Sequence, residues 1–247
     1  MQQLREYTHR YFLTAGKCDA SQHMPLSLIA RHVIEVATEH ANAWGAGYAN
    51  LIAHNEAWVL SRLTIEMIRY PGINEGYELT TWVEGFNRHY SERNVEIKDG
   101  NGEIIGYVRS IWFSINITTR QPADLSRLQV IAENVGDRPC PIAKQGRLRP
   151  VTNPLSAEAY RFRYSDIDFN RHVNTVRYME LILNQWDIDW YDRYDISRFE
   201  IAFLHEARFG TEVIVPVEKL DESTYVAEIL EGDKAICRSK IAFRQQK

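Results

Sequence analysis

Asp168-Phe169-Asn170-Arg171-His172-Val173-Asn174 sets a carboxylate, an amide and an imidazole at i, i+2 and i+4, where a strand-like run gives way to an amphipathic helix. An earlier stretch, Asp19-Ala20-Ser21-Gln22-His23, occupies the same place ahead of another helix. Tyr11 precedes Asp19 by the interval that separates Tyr160 from Asp168, and each Asp is followed four residues later by a His. The first helix is expected over 25–44, with Leu26, Ile29, Ala30, Val33, Ile34, Ala37 and Ala41 on one stripe. Pro25 suits its start and Gly45 its end. Strand-like runs follow at 57–70, 77–90, 93–98 and 104–117, the last two joined by Asp99-Gly100-Asn101-Gly102, residues that tolerate positive φ in a tight turn.

The second half repeats this order: a strand at 160–164, a helix at 173–186, and strands at 199–208, 211–220, 224–230 and 234–243. One helix and a run of strands occurring twice, with matching residues at matching intervals, is the mark of an internal duplication. A helix lying on a curved antiparallel sheet needs a partner to cover the rest, and two such units side by side can form a continuous sheet. The expected fold is therefore α+β, a tandem (double) hot-dog, each unit a long helix wrapped by an antiparallel sheet. Its domains would be 1–135 and 155–247. Residues 136–154, rich in Pro, Arg and polar residues without a period, would be a linker.

Length and composition agree with two globular units. A chain of 247 residues buries roughly 70–75% of the surface it exposes when unfolded. A hydrophobic share of 45% with 25% charged residues is far from a disordered balance. The formal charge of -4 argues against a general nucleic-acid binder, which needs an excess of Lys and Arg. Cys18, Cys140 and Cys237 are odd in number and widely spaced, as free thiols in a reducing compartment are. No stretch approaches the ~20 apolar residues of a membrane span, and the N-terminus lacks the apolar run of a secretory signal. The expectation is a cytoplasmic protein with no membrane partner.

Around Asp168 the chemistry admits two readings. Asp and Asn ahead of a helix commonly serve as caps and turn formers; Asp166 reads as structural and Asn174 as a helix-start partner. The functional reading takes the cluster together. A helix start offers backbone N–H groups and partial positive charge, so the junction can hold a developing oxyanion, with Asn170 as a further donor or a clamp on water.

The string Asp168-x-Asn170-x-His172-Val173-Asn174 resembles the DxNxHVN signature of the plant and bacterial acyl-ACP thioesterases, which end fatty-acid synthesis. Shorter likenesses spread along the chain: Trp58-Val59-Leu60-Ser61-Arg62, Thr81-Trp82-Val83, Arg109-Ser110-Ile111-Trp112, and Phe203-Leu204-His205-Glu206, which falls where the family carries a Glu. Many plant members have a Cys after that Glu; Ala207 stands here, so a cysteine nucleophile at that place is excluded. The plant members' transit peptide and hydrophobic leader have no counterpart, which leads to the expectation of a bacterial member.

The resemblance implies a catalytic network of Asp168, Asn170, His172 and Glu206, acting without cofactor or metal. Glu206 or Asp168 would activate water, or Asp168 would attack directly, with His172 carrying a proton. The first copy has Ser21 in place of the Asn. If Arg69 is aligned with Arg208, Met67 falls where Glu206 would be, so this copy is expected to bind the acyl chain, with Trp58, Trp82 and Trp112 as tunnel wall or plain core. Asp168, His172 and His205 are ligand types for iron or zinc, but no HxH or HxxxH pair accompanies them. His205 and Glu206, neighbours on an expected strand, would face opposite sides. His32, His40, His54 and His89 read as surface or satisfied-core residues.

The implied partner is an acyl carrier protein, acidic in general, so Lys144, Arg147, Arg149, Arg171 and Arg177 are the candidate docking patch. Whether two molecules pair as a homodimer stays open. Two alternatives remain beside the leading reading: an acyl-CoA thioesterase of the same fold, and a non-catalytic sensor of acyl thioesters. The asymmetry between the copies favours catalysis over the sensor, and no helix-turn-helix supports a transcriptional role.

Overall fold

A computed structural model describes residues 4–246. The chain divides into two compact units, the first ending at Lys144 and the second beginning at Gln145.

In the first unit a seven-residue strand β1 (Glu6–Phe12) leads into helix α1 (Leu26–Ala43). Leu26, Ile29, Ala30, Val33, Val36, Ala37 and Ala41 are buried at helical spacing, so an apolar stripe faces the sheet. Each fully buried Ile or Val on it contributes about 1.5–3 kcal/mol. The buried face is wider than the sequence suggests, because His32 and His40 lie on it as well. Pro25 is the N-cap at φ -65°, and Gly45 ends the helix at φ +74°, a left-handed position that glycine takes without strain. A short helix α2 (Tyr48–Ala53) precedes strands β2 (Glu56–Met67), β3 (Gly76–Phe86), β4 (Ser91–Asp99) and β5 (Ile104–Asn116), and a five-residue helix α3 (Gln129–Glu133) follows. All pairings are antiparallel, in the order β1-β3-β4-β5-β2, and α1 packs on β1 and β3.

The second unit has the same order of elements. Strand β6 (Ser156–Arg161) is followed by helix α4 (Thr175–Leu183), a one-turn helix α5 (Ile188–Tyr191), and strands β7 (Tyr194–Phe203), β8 (Glu212–Lys219), β9 (Thr224–Glu231) and β10 (Lys234–Gln245). Their order, β6-β8-β9-β10-β7, is that of the first unit element for element. This identity of topology is the duplication expected from the sequence.

Residues 136–154 are pinned along their length to the units they join. In the first unit the Trp82 indole N–H donates to the Arg138 carbonyl at 2.7 Å, and the Arg138 guanidinium stacks over the Trp82 ring. Arg109 donates to the Cys140 and Ile142 carbonyls. In the second, Glu218 accepts from the Arg149 guanidinium and from the backbone N–H groups of Thr152 and Asn153. Trp82 is thus core, and Trp58 packs on the buried cluster of Ala46, Val83, Leu125, Leu128 and Ile131.

Candidate active site

The turn ahead of α4 is built around one carboxylate oxygen. Oδ1 of Asp168 accepts the backbone N–H of Asn170 at 2.8 Å and of His172 at 3.1 Å, while the Asp168 N–H donates to the His172 carbonyl and the Arg171 N–H to the Asp168 carbonyl. Arg171 sits at φ +64° to close this loop. The first unit forms the same turn: Asp19 Oδ1 accepts from Ser21 and His23, Asp19 N–H donates to the His23 carbonyl, and Gln22 takes φ +64°. The Asp at the head of each motif is therefore a clasp common to both copies, as the structural reading of Asp in a turn requires.

Asn174 is the N-cap of α4, and its side chain accepts from the Val176 N–H at 3.0 Å. The Arg177 N–H is used by the Asn174 carbonyl. These two helix-start donors are consumed internally, and the exposed side chain of Asn170 sits in the clasped turn beside them. Asp166 is buried and accepts from the Tyr160 hydroxyl and the Arg163 N–H, which builds the loop.

The fourth predicted residue arrives from the far end of β7. His172 Nε2 lies 3.4 Å from Glu206 Oε2, a contact at the outer limit of hydrogen-bond length, with the imidazole mostly covered and the carboxylate 41% exposed. Strand β7 ends at Phe203, not near 208. The N–H groups of Leu204 and His205 both aim at the Ile236 carbonyl, a bulge that exhausts the strand's partner and turns the chain out. Glu206 and His205 therefore lie on a loop, and alternation along a strand does not govern where they point. One backbone bond, Val173 N–H to the Ala207 carbonyl at 2.9 Å, ties that loop to the start of α4.

The same bonds give the correspondence between the units. Met67 pairs with Gly106 as Phe203 pairs with Cys237. Ile68 and Arg69 share the Ile105 carbonyl, and the Met24 N–H donates to the Pro71 carbonyl at 2.9 Å. Tyr70, not Met67, thus stands where Glu206 does. The alignment on arginines fails because it slips by three residues across the bulge, but the loss of the carboxylate from the first copy stands.

Two residues at this site carry no motif signal. Tyr178, buried on α4, accepts the Ala207 N–H on its hydroxyl at 2.9 Å. Burial pushes its phenol well above the ordinary range, and the Glu206 and Asp168 carboxylates add to this. Ala207 itself is buried. A tyrosine at a core-facing position of a helix, where an aliphatic residue would pack as well, is the only trace of this in the sequence. Cys237 is fully buried and its thiol is pushed up by burial, which removes it as a nucleophile. Among the described residues no group of three or more His, Cys, Asp or Glu is arranged to hold a metal ion.

Residues 5–130 match the acyl-ACP thioesterase N-terminal domain and residues 152–245 the acyl-ACP thioesterase C-terminal domain. The chain belongs to the acyl-ACP thioesterase family. The crystal structure of an acyl-ACP thioesterase from Bacteroides thetaiotaomicron superposes with a TM-score of 0.90 at 34% identity, covering 97% of this chain and 98% of that one. The 12:0-ACP thioesterase from Umbellularia californica shares the fold, with a TM-score of 0.86 at 17% identity over 98% of each chain. A chloroplastic palmitoyl-acyl carrier protein thioesterase from Arabidopsis thaliana is 24% identical over 219 residues, 81% of this chain and 52% of its own length. The chain thus spans about half the length of that curated relative. No helix among the described residues is long and apolar enough to cross a membrane.

The expected docking patch is divided by its partners. Lys144 pairs with Glu92, Arg149 with Glu218, and Arg177 with Glu180, so three of the five cations are committed to the fold. Arg147 and Arg171 have no acidic partner within ion-pair distance among the described residues.

Proposed function

We propose that this acyl-ACP thioesterase family member hydrolyses fatty acyl-acyl carrier protein thioesters to free fatty acid and acyl carrier protein, ending fatty-acid synthesis. The observation that carries the reading is the 3.4 Å contact of His172 with Glu206 at the clasped turn of the second unit, against Tyr70 at the corresponding place in the first. Glu206, oriented by His172, takes a proton from water. The water oxygen attacks the thioester carbonyl carbon, and the Asn170 amide donates to the developing oxyanion. Collapse breaks the C–S bond, and the proton returns to the departing pantetheine sulfur through Glu206 or His172. Asp168, with one oxygen holding two backbone donors, keeps His172 and Asn170 in place. Binding of the acyl chain is assigned to the first unit, which lacks the carboxylate, and reception of the acidic carrier to Arg171 and Arg147.

Thiol release measured over a panel of acyl-ACP and acyl-CoA thioesters tests this reading. Turnover of acyl-ACP is expected, with acyl-CoA slower. Release from none of them would remove the enzymatic reading, and faster release from acyl-CoA would change the substrate class.

A further inference from the structure

We infer that Tyr178 is a positioning residue for Glu206, holding the Glu206–Ala207 peptide through its hydroxyl in a clamp that only the catalytic unit possesses. The inference rests on the proposed role of Glu206. Ala207 is gripped at both of its backbone polar groups: its carbonyl accepts the Val173 N–H at 2.9 Å, and its N–H, the one in the Glu206–Ala207 peptide, donates to the Tyr178 hydroxyl at 2.9 Å. Only the first grip is general to the fold. In the first unit the Pro71 carbonyl accepts the Met24 N–H at the same 2.9 Å, but the second grip is missing at both ends. Proline has no N–H to give, and Ile29, which stands six residues after His23 as Tyr178 stands six after His172, has no oxygen to receive it. Donor and acceptor are absent together, in the copy that also has Tyr70 in place of Glu206.

The grip acts where positioning matters. Glu206 is on a loop beyond the end of β7, and its side chain is partly exposed, so neither strand pairing nor burial fixes it. A backbone bond to a rigid aromatic on α4 restrains the peptide that follows it. The hydroxyl accepts from the backbone, and burial makes the phenol hold its own proton more tightly than usual, so the contribution assigned to Tyr178 is geometric.

Steady-state kinetics on four variants test the inference. Tyr178→Phe deletes the acceptor and Ala207→Pro deletes the donor, copying the state of the first unit. Each is expected to lower kcat on the order of 10- to 100-fold, with KM for acyl-ACP within about twofold. In a Glu206→Gln background Tyr178→Phe is expected to cost nothing further, since a residue acting through Glu206 has nothing left to position. A merely structural tyrosine would instead lose activity in proportion to folded protein and to the same degree in both backgrounds. Full activity in Tyr178→Phe and Ala207→Pro, or a loss that simply multiplies that of Glu206→Gln, overturns the inference while leaving the role of Glu206 intact. Full activity in Glu206→Gln alone overturns that role, and this inference with it. Should Tyr178→Phe not fold, Ala207→Pro, whose proline the fold already accommodates at Pro71, decides the question.

Discussion

The carboxylate of Asp168 accepts the His172 N–H at 3.1 Å, and the carboxylate of Asp19 accepts the His23 N–H at 3.0 Å. A bond repeated in the copy without Glu206 is there to make the turn, and this separates two roles that sequence alone assigns together.

Asp168→Ala opens the turn carrying Asn170 and His172 and is expected to lower kcat/KM by about 100-fold or more. Asp168→Asn keeps an oxygen for both backbone donors and is expected to recover at least about tenfold of that loss. Asp19→Ala costs stability alone, on the order of 1 kcal/mol, and leaves kcat unchanged. Rates and denaturant midpoints of the three proteins check this. An Asn variant as slow as the Ala variant would give the Asp168 carboxylate a direct part in the chemistry.

Acid should weaken the first unit through two histidines buried on α1. His32 bonds the Tyr77 hydroxyl at 3.0 Å, stacks on Tyr11, and has the Glu35 carboxylate at 3.9 Å. His40 receives the Arg93 guanidinium on Nδ1 and so donates from Nε2 to the Leu4 carbonyl, which fixes a neutral tautomer. Burial, aided by Lys17 and Arg31 for His32 and by Arg93 for His40, holds both at about 4. The unfolded chain takes up protons near 6.5 and the folded one only near 4, so this stability is fully present above pH 6.5 and is lost as pH falls from 6.5 to 4. The loss reaches on the order of 3 kcal/mol per histidine as an upper bound. Denaturant midpoints at pH 7.5 and 4.5 measure it. His32→Leu, copying Leu181 of the second unit, is expected to flatten the dependence; equal acid losses in both proteins would show that His32 does not titrate this way.

Gly106 marks a tight approach in the same unit. A Cβ there would stand 2.5 Å from Met67 Sδ and 2.9 Å from the Glu66 carbonyl oxygen. The methionine can move; the β2 backbone cannot without disturbing the bulge at Ile68. Gly106→Ala is expected to lower stability by about 1–3 kcal/mol. An unchanged midpoint would mean that β2 yields at no cost.

The duplication was legible because one turn needs an Asp whose oxygen reaches backbone N–H groups two and four residues on, and that demand leaves Asp19 and Asp168 at the same place ahead of each helix. The pairing of Glu206 with His172 was legible only through the family's pattern, since 34 positions separate them. The end of β7 was not legible: apolar residues continue through Leu204 and Ala207, and what stops the strand is a carbonyl on β10 already shared by two donors. The bulge also hid the match of Tyr70 to Glu206. Charges were the least legible, because Lys144 and Arg149 find acids 52 and 69 positions away, and no local spacing announces such a partner.

That division of the charges gives the last expectation. A cation already paired with a carboxylate offers little further attraction to an acidic carrier, whereas an exposed, unpaired one both steers the encounter and holds the complex. Arg171 follows Asn170 in the clasped turn, and its exposed side chain has no acidic ion-pair partner among the described residues. Arg171→Glu is expected to raise KM for acyl-ACP about tenfold at low salt, to leave kcat within about twofold, and to lose its effect as salt rises. Arg149→Ala removes a partner from Glu218, whose carboxyl that arginine and the Thr152 and Asn153 N–H groups hold down at about 2. It is expected to lower the unfolding midpoint and leave KM alone. Short-chain acyl-CoA, which has no carrier surface, serves as the control: a KM rise of equal size for it in Arg171→Glu would place Arg171 on the pantetheine arm rather than on the carrier.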